Sequence, residues 1–190
     1  MAATVTAELR GARVKMVRLC NDPRVRMPAT GGSAAMVFGK RKRQIHRLLV
    51  VEDEPLIAFD NEHALSDAGF EVVATVPDAQ AAVAALSGDV DLVVSDIQLA
   101  VGSGLDVARA AAGAGVPVLF VSSLCPEEAR ALAAGCLAKP YAPRDLVAAI
   151  DAVDRQLAGE TVRRLPGGLQ LFDGPSPLVG EGRRREAPGG

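Results

Sequence analysis

The chain has 190 residues, 49% of them hydrophobic and 3% aromatic, with a formal net charge of -2 at pH 7. That length holds one ordinary domain plus extensions, with a core packed from Ala, Val and Leu. No apolar stretch approaches the roughly 20 residues of a membrane span, and the N-terminus lacks the apolar core of a secretory signal, so a cytoplasmic protein is expected.

Cys20, Cys125 and Cys136 lack metal-ligand spacing, and their odd number argues against a disulfide framework. Charge is unevenly spread. Residues 1 to 47 carry 11 Lys/Arg against 2 acids, 48 to 158 carry 5 against 17, and 159 to 190 carry 5 against 4. Such blocks mark separate structural regimes: a basic arm at 1–46, an acidic domain at 47–158 and a short tail at 159–190.

The arm alternates small, basic and turn-forming residues without a sustained period, so disorder is expected. Its run Lys40-Arg41-Lys42-Arg43 suits a contact with nucleic acid or acidic lipid, but short basic runs are weak evidence, and a solvated tail is the expected reading. The native start could also lie at Met27 or Met36, which would leave residues 1–26 or 1–35 outside the protein.

Leu48 to Val51 is an apolar run too short for a helix and too continuous for a half-exposed strand, which predicts a strand buried on both faces, ending in Glu52-Asp53-Glu54-Pro55. Pro55 starts a helix with Ile57, Ala64, Leu65 and Ala68 on its apolar face, and Gly69 stops it. Phe70 to Val76 predicts strand two. Asp78 caps a second helix with Val83 and Leu86 facing inward, which Gly88 ends.

Leu92 to Val94 repeats the buried-strand pattern and drives into Asp96. Gly102 and Gly104 fit neither a P-loop nor a dinucleotide fingerprint and read as turn glycines before a third helix that ends near Gly113–Gly115. Val116 to Val121 predicts strand four, ending in Ser122-Ser123, and Pro126-Glu127-Glu128 starts a helix. Leu137-Ala138 predicts strand five, ending in Lys139-Pro140, and Pro143 opens a last helix with Leu146, Ile150, Val153 and Leu157 on one face. In the tail, Leu169 to Phe172 could return as a short strand or meet a partner; partial disorder is the expectation.

Strand then helix, five times, predicts an α/β fold: a doubly wound, five-stranded parallel sheet in the order 2-1-3-4-5, of the flavodoxin-like type. Ligands in such sheets bind at the C-terminal ends of the strands, where Glu52, Asp53, Asp96, Ser122 and Lys139 would meet. Asp96 reads as a phosphoacceptor. Three converging carboxylates call for a divalent cation, and oxygen-only ligation favours Mg²⁺. Lys139 would neutralise phosphoryl charge and Ser122 would donate a hydrogen bond. The plainer alternatives are helix caps for Ser122 and for Glu52-Asp53. His46 and His63 fall outside this crevice.

The ordered motifs Leu-Val-Val-Glu52-Asp53-Glu54-Pro55, Val-Val-Ser-Asp96-Ile-Gln-Leu, Gly102-Ser103-Gly104-Leu105-Asp106, Phe-Val-Ser122-Ser123 and Leu-Ala-Lys139-Pro140-Tyr141 resemble the receiver domain of two-component response regulators, over Leu48 to about Leu157. The resemblance implies that Glu52, Asp53, Asp96 and the backbone carbonyl of Gln98 hold Mg²⁺. It implies that Asp96 takes a phosphoryl group from a sensor histidine kinase or histidine phosphotransfer protein, that Ser122 and Lys139 sense it, and that the Lys139-Pro140 bond is cis. Two positions depart from the family pattern. Cys136 stands where an aromatic usually precedes the lysine by three residues, Tyr141 being a different position. Leu124, two after Ser122, cannot orient a water for hydrolysis; Gln98 lies at the other position that governs it.

The expected function is thus a single-domain phosphorylation switch for a protein–protein surface, with an unknown downstream partner. It is not an enzyme in the turnover sense, but a phosphoacceptor that catalyses its own phosphorylation and dephosphorylation. A relay intermediate or phosphate sink is the near alternative, and a receiver-regulated nucleic-acid binder a remoter one. A phosphatase acting on small molecules is disfavoured because Gln98, not a second acid, follows Asp96 by two residues.

Overall fold

The computed structural model describes residues 42–86 and 89–173. In chain order the elements are β1 (Arg47–Val51), α1 (Pro55–Asp67), β2 (Glu71–Val76), α2 (Ala79–Ala85), β3 (Leu92–Ser95), α3 (Gly104–Gly113), β4 (Val118–Ser122), α4 (Glu127–Leu132), β5 (Gly135–Ala138), α5 (Pro143–Leu157) and β6 (Leu169–Leu171). The sheet runs β2-β1-β3-β4-β5-β6. Its first five strands pair in parallel, in the expected order, and β6 is antiparallel to β5.

Successive strand residues point to opposite faces, and both faces are covered. Leu48, Val50, Val94, Leu119 and Leu137 pack with Leu65 of α1 and Leu146, Ile150 and Val153 of α5. Leu49, Val51, Val93, Phe120 and Cys136 pack on the other side with Ala82 of α2, Val107 and Ala111 of α3 and Ala129 of α4. The small side chains of α2 to α4 let those helices lie close to the sheet.

Local signals set the helix ends. Pro55 opens α1 and Pro143 opens α5. Asp78 caps α2 by accepting from Ala81 N at 2.8 Å, and Ser103 caps α3 by accepting from Leu105 N at 3.2 Å. The expected stop of the second helix at Gly88 lies outside the described residues.

Three expectations change. Val83 faces solvent instead of the core: in a helix of only seven residues, Ala79 and Ala82 form the buried face. The expected disorder to residue 46 is corrected for the part described. The Gln44 and Ile45 amides both donate to Asp154 Oδ1 at 2.9 Å, Arg43 pairs with Asp151 at 2.9 Å and lies over the Phe70 ring, and Ile45 is buried. Arg43 is therefore held by an acid and an aromatic of the domain, while Met1 to Arg41, with most of the basic arm, lie outside the described residues.

The third change is β6, which makes the sheet six-stranded and carries the ordered domain past residue 158. Gly168 turns the chain with φ +79°. Leu169 and Phe172 are then buried on opposite faces of the sheet. Three residues offer too little alternation to be read as a strand from the sequence; pairing with the otherwise bare edge of β5 makes them one.

Candidate functional site

Strands β1, β3, β4 and β5 end side by side, and their next residues form the rim of a crevice. The Glu52 amide donates to Val76 O and the Asp96 amide to Val51 O, so the sheet ladder itself positions both acids. Asp96 is 6% exposed and Glu52 3%. Lys139 reaches between them, donating from Nζ to Asp96 Oδ2 at 2.6 Å and to Glu52 Oε2 at 2.9 Å. Asp96 Oδ1 accepts from the Gln98 amide at 2.9 Å. The Asp96 carboxylate is thus held at both oxygens, by a cation on one side and a backbone amide on the other.

Burial pushes the Glu52 carboxyl above the ordinary range, against the opposing pull of Lys139. Burial pulls the Lys139 ammonium down, but its hydrogen bonds to Asp96 and Glu52 outweigh this and hold it above its ordinary value. Asp53 lies at the same edge, with Oδ2 accepting from Ala100 N at 3.1 Å. Glu52 Oε1 accepts from Glu54 N at 3.3 Å. The amides that Glu52 and Asp53 bond, those of Glu54 and Ala100, lie outside the first turn of α1, so the capping reading of Glu52 and Asp53 contributes little.

Ser122 is 1% exposed, and its Oγ has no hydrogen-bond partner. A buried hydroxyl left unpaired costs about 1–3 kcal/mol, and Ser122 does not make the helix-cap bond of the plainer reading. Its carbonyl accepts from Lys139 N at 3.1 Å, which ties the ends of β4 and β5 together. The Lys139-Pro140 bond is cis, as expected.

The backbone around Asp96 depends on Gly104, the first residue of α3. A Cβ there would fall on the Asp96 carbonyl oxygen and lie 2.8 Å from Ile97 Cα. Gly104 is therefore a close-approach glycine, which corrects its reading as a turn residue; Gly102, with φ +80°, keeps that reading.

Glu52, Asp53, Asp96 and the Gln98 carbonyl would make an oxygen-only donor set of the type that suits Mg²⁺. As they stand, no three acids among the described residues lie close enough to hold a metal. The paired burial of Glu52 and Asp96 around one cationic group nevertheless fits a site where positive charge is required, so the residues suit the ion in chemistry. His46 and His63 are exposed and away from the crevice, with His63 beside Asp67 on the surface of α1.

A family profile for the response regulator receiver domain matches residues 48–151. The chain belongs to the response regulator receiver family. It carries a domain of phosphorylation-dependent two-component signalling. Among solved structures, this receiver is similar to a chemotaxis response regulator of Vibrio cholerae, with 28% identity, 57% of this chain and 98% of the other covered, and TM-score 0.52. A response regulator receiver protein of Sinorhizobium medicae matches at 27% identity, covering 58% of this chain and 94% of its own, with TM-score 0.50. The N-terminal domain of a response regulator/sensory box/GGDEF three-domain protein of Carboxydothermus hydrogenoformans matches at 26%, covering 60% and 97%, with TM-score 0.54. No curated protein matches the chain. No helix among the described residues is long and apolar enough to cross a membrane.

The positions that depart from the receiver pattern are now placed. Leu124 is 67% exposed in the loop after β4. Cys136 is buried in β5, and burial pushes its thiol up. Tyr141 is half-buried and donates its hydroxyl to Asn61 Oδ1 at 3.0 Å. Both Tyr141 and Asn61 line a cleft of about 400 Å³ beside Lys139, with Ile57, Asp60, Ser123 and Pro140. Asn61 was not singled out from the sequence. The available signal is a polar residue four after Ile57 and four before Leu65, on the apolar stripe of α1.

Proposed function

We propose that this receiver is a phosphoacceptor whose Asp96 takes a phosphoryl group from a phosphohistidine. The observation that carries this reading is the Lys139 ammonium, bonded to buried Asp96 and Glu52 beside the unpartnered hydroxyl of Ser122. An oxygen of the Asp96 carboxylate forms the new O–P bond as the P–N bond of the donor breaks, and the electron pair of that bond returns to the imidazole. The Gln98 amide and Lys139 fix the rotation of the carboxylate, so little reorganisation precedes attack. Lys139 and Ser122 then face the charged equatorial oxygens, and Ser122 gains the acceptor it lacks.

Glu52, Asp53, Asp96 and the Gln98 carbonyl would hold Mg²⁺, which supplies charge neutralisation for the transfer. The partners are a sensor histidine kinase or a histidine phosphotransfer protein, and a downstream protein that reads the phosphorylated face.

Incubation with phosphoramidate, followed by intact mass measurement, tests this reading. One phosphoryl increment is expected with Mg²⁺, and none with a chelator or in Asp96→Asn. An increment that persists in Asp96→Asn contradicts it. Once formed, the phosphoprotein should decay more slowly than in a Leu124→Glu variant, because exposed Leu124 offers nothing to orient a water; equal or faster loss in the parent, followed by mass over time, refutes that role.

A further inference from the structure

Strand β6 lies beyond the residues matched by the family profile, which end at 151, yet it closes the β5 edge with a full set of contacts. Gly135, Cys136 and Leu137 pair with Leu171, Gln170 and Leu169. The ladder extends through Ala138 N to Gly168 O at 3.0 Å and Phe172 N to Ala134 O at 2.9 Å. Gln156 of α5 donates to Phe172 O at 2.6 Å. The Phe172 ring is buried in the cluster that contains Cys136, Phe120, Ala129 and Ala133. It thus adds an aromatic to the core region where Cys136 itself supplies none.

Helix α4 fastens this strand. The Arg130 guanidinium lies 5.2 Å from the Phe172 ring centroid, and Nη2 donates to Gln170 Oε1 at 3.1 Å. Arg130 also pairs with Glu127 at 3.3 Å, so the clamp is part of the helix's own surface. The helix has six residues, and its one buried side chain is Ala129. So short an element with so little buried area shifts at small cost.

Between β4 and α4 there are only the residues Ser123 to Pro126, and they directly follow Ser122, whose buried hydroxyl is unpaired. A phosphoryl group on Asp96 would give that hydroxyl its acceptor, and the loop would follow it. The start of α4 then moves, and Arg130 with it, and β6 loses its fastening to α4 and is left to the short pairing with β5 and the Gln156 bond alone. The clamp opens because its two halves are anchored to different elements.

We propose that β6 is a strap that covers the β5 edge in the resting protein and is loosened by phosphorylation of Asp96 through Ser122 and α4. The inference rests on the phosphoacceptor reading above. Its output is access to the β5 edge, where the backbone groups of Gly135 to Leu137 now bond to β6.

Cys136 reports the strap, because it pairs with Gln170 and is 3% exposed. In a Cys20→Ser/Cys125→Ser protein it is the one remaining thiol, since the chain has three cysteines. Its alkylation by a maleimide and the phosphoryl increment are read in the same intact mass spectrum. With phosphoramidate and Mg²⁺, the phosphorylated species should label about tenfold faster than the unphosphorylated one. Adding Asp96→Asn should remove the acceleration, and Arg130→Ala should raise the resting rate and shrink the ratio. Phosphorylated protein that labels no faster than unphosphorylated protein overturns the strap and leaves the phosphoacceptor reading standing. Absence of any phosphoryl increment overturns both. If Arg130→Ala leaves the resting rate unchanged while its thermal melt matches that of the parent, α4 is not the clamp and the proposal fails.

Discussion

Lys139→Met should lower phosphoryl uptake at Asp96 by about a hundredfold, the scale on which removal of one preorganised transition-state donor acts. It should also destabilise the protein, by about 3 kcal/mol in the presence of a chelator, because removing one partner of a buried pair leaves uncompensated charge. The geometry makes both effects large. Lys139 Nζ is 2.6 Å from Asp96 Oδ2 and 2.9 Å from Glu52 Oε2, and the side chains of those acids are 9% and 1% exposed. Met keeps most of the volume and removes only the charge.

Magnesium separates this account from a loss of packing. If Glu52 and Asp96 need a cation, adding Mg²⁺ should raise the melting temperature of Lys139→Met more than that of the parent, by linkage to the folded state. A variant as stable as the parent in chelator, or equally indifferent to Mg²⁺, would show that the pair does not depend on Lys139. Chemical denaturation in chelator measures the first effect, and thermal melts in chelator and in Mg²⁺ measure the second.

Gly104→Ala should cost about 3 kcal/mol or more, at the upper end of the range for forced overpacking. The added Cβ meets the Asp96 carbonyl oxygen, Ile97 Cα and Asp96 C, all backbone atoms that cannot turn aside as a side chain would. The N-terminus of α3 must then move off the strand that carries Asp96, so phosphoryl uptake should fall with stability. Gly113→Ala in the same helix is the control. Nothing lies within 4 Å of its Cβ, and a gain of a few tenths up to about 1 kcal/mol is expected from the smaller entropy of the unfolded chain. Equal effects at Gly104 and Gly113 would dismiss the close-approach argument.

These two predictions rest on contacts the sequence announced unequally. The strands were legible because buried parallel strands are continuous apolar runs closed by turn formers, and the order of five followed from the alternation of strand and helix. That Glu52, Asp53, Asp96, Ser122 and Lys139 stand at one edge of the sheet was legible for the same reason: each stands just after, or at the end of, such a run. The close approach at Gly104 was not, because a glycine that makes room for a neighbouring carbonyl looks in sequence like one that turns the chain. Val83 was misread because a seven-residue helix has too few positions for its period to choose a face. The β6 strand was legible only as an alternative to disorder, because Leu169 to Phe172 acquires its role from the β5 edge and from Arg130, 40 residues from Gln170 in sequence. The anchoring of Gln44 and Ile45 by Asp154 was invisible likewise, since the acceptor lies more than a hundred residues away.

The central claim is that Asp96 itself carries the phosphoryl group, and trapping the acyl phosphate tests it most directly. Borohydride reduces an aspartyl phosphate to homoserine, and peptide sequencing by mass spectrometry then locates the altered residue. After phosphoramidate and Mg²⁺, homoserine is expected at position 96 and nowhere else. Homoserine at position 53, a reduced glutamate at position 52, or phosphate retained on a serine or histidine would contradict the account.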